Sequence, residues 1–217
     1  ASLGSKVLQT RSVELAMVHG MRTRVLSSFA EVDSIQPVRA GGNWGEIGTV
    51  VCDEDEIVES QVVSGIAFTK DEAKVTIQSV ADKPGVAARV FGPLSEANVN
   101  VDMIVQNLSS DGKRTDMTFT VAASDVDRTR SVLEAAKEDI GYEDIVSSAD
   151  VVKVSAIGIG MRSHAGVAAK MFQALADKNI NILAITTSEI KVSVLIDAAY
   201  AELAMRTLHS AYGLDGD

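Results

Sequence analysis

The apolar positions of this chain recur with two different periods, and the alternation between them outlines a set of small elements. Val75 and Ile77 alternate with Thr76 and Gln78, the period-two pattern of a half-buried strand. Asp82-Lys83-Pro84-Gly85 is turn chemistry leading into a helix, on which Val86, Val90 and Leu94 recur four apart with Phe91 beside them. Asn98-Val99-Asn100 closes that helix and opens a second strand, Val101 to Leu108. Asp111-Gly112 marks a hairpin turn, after which Met117, Phe119 and Val121 form the inward face of a third strand. A second helix carries Val126, Thr129, Leu133, Ala136 and Ile140 on one face and ends at Gly141. Residues Glu143 to Ala149 supply a fourth strand. The predicted order is βαββαβ, an α+β arrangement with helices on one face of an antiparallel sheet.

The pattern then repeats. Residues 85–104 (GVAARVFGPLSEANVNVDMI) and 166–185 (GVAAKMFQALADKNINILAI) are identical at nine of twenty positions at a constant offset of 81. This is an internal duplication. The second copy begins at Val151, places Val192, Val194 and Ile196 on its third strand, and lines its second helix with Ala204, Leu208 and Ala211. It reaches Asp217 before a fourth strand can form. A strand-like segment, Val62 to Thr69, stands upstream of the first copy and is expected to fill the missing edge of the second, since an open edge is a pairing liability. The first module, 70–149, would then be inserted into a second made of 62–69 and 150–217.

Residues 1–60 differ in kind. Ser12 to His19 has helical character with Gly20 as C-cap, and Arg24 to Ser28 reads as a strand. The loop Ala40-Gly41-Gly42-Asn43-Trp44-Gly45 lacks the ending of a P-loop and the spacing of a dinucleotide fingerprint, so a linker is expected. The run Asp53-Glu54-Asp55-Glu56 reads as solvated. One αβ unit cannot bury a core alone, which suggests the tail of a larger domain.

Composition narrows the partners. A formal net charge of -10 with no basic cluster argues against nucleic acid and anionic membranes. No run approaches the roughly 18 apolar residues of a membrane span, and no signal-peptide pattern opens the chain. The single cysteine, Cys52, excludes an internal disulfide framework and fits a reducing, cytoplasmic setting. His19, His164 and His209 have no metal-ligand spacing, so no metal site is expected.

Each repeat resembles an ACT domain, the effector-binding module of amino-acid-metabolism enzymes. The segment Ser5 to Glu14 (SKVLQTRSVE) is similar to the last part of the aspartate kinase catalytic domain. Val63-Ser64-Gly65-Ile66-Ala67-Phe68, Asp82-Lys83-Pro84-Gly85 and Thr187-Ser188-Glu189-Ile190 resemble the regulatory region of that family. The resemblance implies two ferredoxin-like ACT modules preceded by a remnant of an α/β kinase domain in 1–60. It also implies a lysine- or threonine-binding region that allosterically inhibits ATP-dependent phosphorylation of aspartate, a homodimer formed through the modules, and a catalytic kinase domain or subunit as partner. Two departures qualify it. The Gly-Gly phosphate-binding segment of the family is absent, and 30–46 is longer than the linker expected. No cofactor is therefore expected in this chain, ATP and Mg belonging to the parent enzyme, and the chain alone should be inactive. A stand-alone amino-acid sensor is the alternative.

A free amino acid presents a carboxylate and an ammonium group. The start of the helix after Gly85 offers backbone N–H groups to the carboxylate, so Gly85, Val86 and Ala87 are candidates. Asp82, Asp102, or backbone near Asn181 and Ile182 would accept from the ammonium. Gln106 would reach the ligand side chain, and Ser188 falls in a family-like segment. Lys6 is, by resemblance, a surviving edge of the nucleotide site; read by itself it is equally an exposed surface lysine. Taken from residue types alone, Asp82 to Gly85 reads first as an ordinary turn and helix start, and it is the family resemblance that favours a ligand site. The copies are also unequal: Asp82 corresponds to Ser163, Pro84 to Ala165 and Asp102 to Leu183, which places the main site in the first copy.

Overall fold

The computed structural model describes residues 8–29, 48–51, 62–108, 113–158 and 166–215. The chain forms two units, Ala1–Ser60 and Gln61–Asp217. In the first, α1 (Thr10–Val18) precedes β1 (Thr23–Val25), which pairs antiparallel with β2 (Thr49–Val51). Gly20 ends the helix at φ 59, with its N–H on the Met17 carbonyl at 3.0 Å and that of Met21 on Ala16 at 2.8 Å. These bonds satisfy last-turn carbonyls and need a left-handed residue. No residue of α1 is buried, and Leu15, Met17 and Val18 are exposed. The strand expected over 24–28 is only three residues long. Its partner β2 is too short for a period to be read from the pattern.

The second unit runs β3 (Val63–Thr69), β4 (Ala73–Ala81), α2 (Val86–Glu96), β5 (Val101–Leu108), β6 (Arg114–Val121), α3 (Val126–Ala135), α4 (Lys137–Ile140), β7 (Asp144–Ser148), β8 (Val151–Gly158), α5 (Val167–Ala176), β9 (Ile182–Thr187), β10 (Lys191–Asp197) and α6 (Ala201–Tyr212). Two four-stranded antiparallel sheets result, in the orders β5-β6-β4-β7 and β9-β10-β8-β3. Both follow the ferredoxin-like order, with β3 standing where β7 stands in the other sheet. It pairs with β8 from Val63 opposite Gly158 to Thr69 opposite Lys153.

Physical duties explain the identities between the repeats. Leu94 and Leu175 are fully buried against their own sheets, in cores built around Ile77, Phe119 and Leu133, and around Val154, Val194 and Leu208. Asn98 and Asn179 sit just past α2 and α5 at φ 56 and 55, and the next residues, Val99 and Ile180, donate back to Leu94 and Leu175. Asparagine tolerates this left-handed position better than most residues. Gly85 and Gly166 precede the same helices at φ 89 and 104, where a side chain is strained.

One predicted element is divided. The helix expected from Val126 to Ile140 breaks at Ala136 into α3 and α4, and at the break the Tyr142 hydroxyl donates to the Leu133 carbonyl at 3.1 Å. A tyrosine two positions beyond the apolar stripe carries no helical signal, so the pattern hides the interruption. The predicted turn at Asp111-Gly112, the stretch 30–46 and the acidic run at 53–56 lie outside the described residues.

Candidate functional site

The end of β4 sets the loop before α2. Ser79 adopts φ 60 in a bulge, its N–H bonded to Asp116 Oδ1 at 2.8 Å and its carbonyl accepting from Arg114 Nη1 at 2.6 Å. A bulge turns the strand that follows. The Asp82 N–H then bonds the Lys113 carbonyl at 2.9 Å, and Gln106 Nε2 on β5 donates to Asp82 Oδ1 at 3.4 Å. Asp82, Gly85 and Ala87 are exposed, whereas the Val86 side chain is buried in the core and its N–H, expected to meet the carboxylate, already bonds the Lys83 carbonyl at 3.2 Å. No side chain caps α2, so its first turn keeps the anion affinity of an uncapped helix start.

Arg89, which the sequence reading overlooked, lies one turn into this helix. A Cβ on Gly85 would meet its Nη1 at 3.8 Å, while its Nε and Nη2 are shielded from solvent with no hydrogen-bond partner among the described residues. Its position four residues past the glycine was the available signal.

The other candidates stand on the second module. Asn181 is exposed just before β9, Ile182 packs on the second core, and Ser188 follows β9. The Ser188 N–H bonds the Lys191 carbonyl at 2.8 Å, and its shielded Oγ has no partner among the described residues. No hydrogen bond among the described residues joins this group to Asp82, Gly85 or Gln106. Lys6, Ser163 and Ala165 lie outside the described residues. At the second copy's helix start, Tyr212 of α6 donates to the Val167 carbonyl at 2.8 Å, with the Lys170 ammonium 5.4 Å from its ring centre. Burial pushes the Tyr212 hydroxyl up to about 12.

Asp102 has a neighbour that the sequence pattern did not show. Its Oδ2 accepts from Lys153 Nζ of β8 at 2.5 Å, and the same ammonium pairs with Glu72, which precedes β4. Lys153 and Glu72 are buried, and Asp102 is half exposed. Burial disfavours the Asp102 carboxylate, but the hydrogen bonds from Lys153 and from the Met103 backbone outweigh it and lower its pKa. Burial likewise disfavours the Lys153 ammonium, and its bonds to Asp102 and Glu72 outweigh that and raise its pKa. A lowered acid stabilises the fold above its unfolded pKa of about 3.9 and loses that contribution as pH falls through the folded value. A raised lysine stabilises below about 10.4 and loses its contribution as pH rises through the folded value. The stability advantage of the native chain over Asp102→Asn, read from urea midpoints, is therefore expected to be flat from about pH 5 to 9 and to shrink below about 4. An advantage that persists undiminished at pH 3 contradicts this.

Two family models, both described as ACT domain, match residues 74–138 and 154–212. An aspartate kinase of Pseudomonas fluorescens (strain SBW25) is 50% identical over 215 residues, covering 99% of this chain and 49% of the relative. A crystal structure of aspartokinase alpha and beta subunits is 50% identical, covers 70% of this chain and 99% of its own, and superposes with a TM-score of 0.66. The chain belongs to the aspartate kinase family. The ligand-free regulatory subunit of aspartate kinase from Thermus thermophilus matches likewise, at 40% identity and a TM-score of 0.67 over 70% of this chain and 99% of that one. The two ACT modules are thus an aspartate kinase regulatory region, and the chain spans about half the length of the curated relatives it matches. Among the described residues no helix is long and apolar enough to cross a membrane, and no group of three metal-ligating side chains converges.

Proposed function

We propose that this region senses a free amino acid, lysine or threonine, and inhibits an aspartate kinase to which it is joined. The observation that carries the reading is the uncapped start of α2 behind Gly85, flanked by the hydrogen-bonded Asp82 and Gln106. A carboxylate fits the helix start and Arg89, an ammonium fits Asp82, and Gln106 is left for the ligand side chain. The candidates on β9 would complete the pocket from a second copy in a homodimer, since no hydrogen bond among the described residues joins the two groups. The exposed Leu15, Met17 and Val18 of α1 fit a surface normally covered by the rest of a kinase domain. ATP and Mg would act there, in the cytoplasm. The ligand would favour one arrangement of the modules, and that arrangement would disfavour the active kinase.

Titration calorimetry with L-lysine and L-threonine, singly and together, tests the reading. Saturable heat for at least one is expected, and no heat for either at millimolar concentration rejects it. Gly85→Ala is the matching variant. An alanine at φ 89 costs about 1–2 kcal/mol, while its Cβ meets only the end of Arg89. The expected result is a modest loss of stability with binding weakened about tenfold or more; unchanged affinity would detach Gly85 from the site.

A further inference from the structure

Two short connections, 70–72 and 149–150, join the modules, each running between a strand of one sheet and a strand of the other. Paired connections of this kind restrict the modules to rotation about the line that joins them. Beside the second connection, Met103 of β5 packs with Val151, Leu195 and the half-buried Ala184 of the second sheet. This cluster is small and greasy, with no directional preference of its own. Lys153 adds a directional contact, reaching from the second module to Glu72 on a connection and Asp102 on β5.

We propose that the Lys153–Glu72–Asp102 triad is an inter-module clamp, and that Lys153 is the positioning residue which couples the candidate site to the second module. Strand β5 carries the clamp at Asp102 and, four residues on, Gln106, which holds Asp82 of the candidate loop. A ligand that draws Gln106 or Asp82 moves the strand bearing Asp102, and Lys153 passes that movement to β8. A lysine within the run Val151-Val152-Lys153-Val154 is costly to bury unless its partners are fixed, which makes the arrangement of modules two-state rather than graded. The coupling half of this inference rests on the functional reading above, whereas the clamp half does not.

The test uses the whole chain with Cys52→Ser and spin labels on Ser95→Cys in α2 and Ser210→Cys in α6, both exposed, diluted with unlabelled chain. Lys153→Met alone strands a buried Glu72 and can fail to fold, so the decisive variant is Lys153→Met/Glu72→Gln/Asp102→Asn, which removes every charge. The unligated native chain should give one narrow distance distribution, and the triple variant one at least twice as broad. Identical distributions in the two overturn the clamp. With L-lysine and L-threonine added, the native distance should shift and the variant's should not; a shift of equal size in both overturns the coupling. Calorimetry on the same samples separates this from failure of the functional reading, which would show as no binding to the native chain while the unligated comparison still decides the clamp.

Discussion

Replacing Gly158 by alanine is expected to detach β3 from the second sheet and to cost about 3 kcal/mol. A Cβ at Gly158 would lie 1.8 Å from the Val62 carbonyl oxygen, 2.8 Å from its carbon and 3.0 Å from the Val63 Cα. All three atoms are backbone, so no rotamer change relieves the clash. Gly158 faces Val63 in the register, at a point where the pairing is already irregular. Urea denaturation should show the lost stability, and hydrogen exchange should show lost protection across Val63–Thr69 before any change in β4 or β6. A loss under about 1 kcal/mol with β3 still protected would mean that the edge yields freely.

The second large effect tests how the modules are nested. Phe119 is fully buried and packs edge-on against Phe91, ring centres 5.3 Å apart at 77°, so Phe119→Ala should cost the first module about 3–5 kcal/mol. Leu208 is equally buried in the other core, and Leu208→Ala should cost about 2–5 kcal/mol there. The consequences should differ in reach. With the first module unfolded, β3 and β8 are joined by a slack loop of about eighty residues, whose closure costs on the order of 4 kcal/mol. With the second unfolded, the first remains continuous from β4 to β7. Exchange measured segment by segment should therefore show Phe119→Ala loosening both modules and Leu208→Ala loosening only its own. Symmetric loosening would rule out this nesting.

Both modules were legible because their cores announce themselves by period. The stripe Val86, Val90, Leu94 and the alternation Met117, Phe119, Val121 need no tertiary information to be placed. The upstream strand could be assigned because the first copy reads as four strands, and Val62 to Thr69 was the strand-like segment left over for the second. The Ala136 break and strand β2 stayed hidden, since a side-chain bond to a helix carbonyl and a three-residue strand leave no periodic trace. At the site, Asp82, Gly85 and Gln106 were recoverable from turn chemistry and the repeat. The partner of Asp102 was not recovered, because an acid on an exposed edge strand has no stated neighbour until the other module is placed. The signal lay on the opposite side of that pair: Lys153 among valines demanded a counter-charge.

The upstream origin of β3 also has a consequence for how the protein is made. On the ribosome β3 emerges well before β8, with the whole first module synthesised between them. At roughly 5–20 residues per second, the strand waits about 4–20 seconds for β8, the strand it pairs with. During that interval Val63, Ile66 and Phe68 lie on an unpaired strand, a template for wrong pairing with any nascent chain nearby. The charged residues that follow directly, Lys70, Asp71 and Glu72, flank it as gatekeepers. Glu72 thus guards the strand before Lys153 exists, and becomes its partner afterwards.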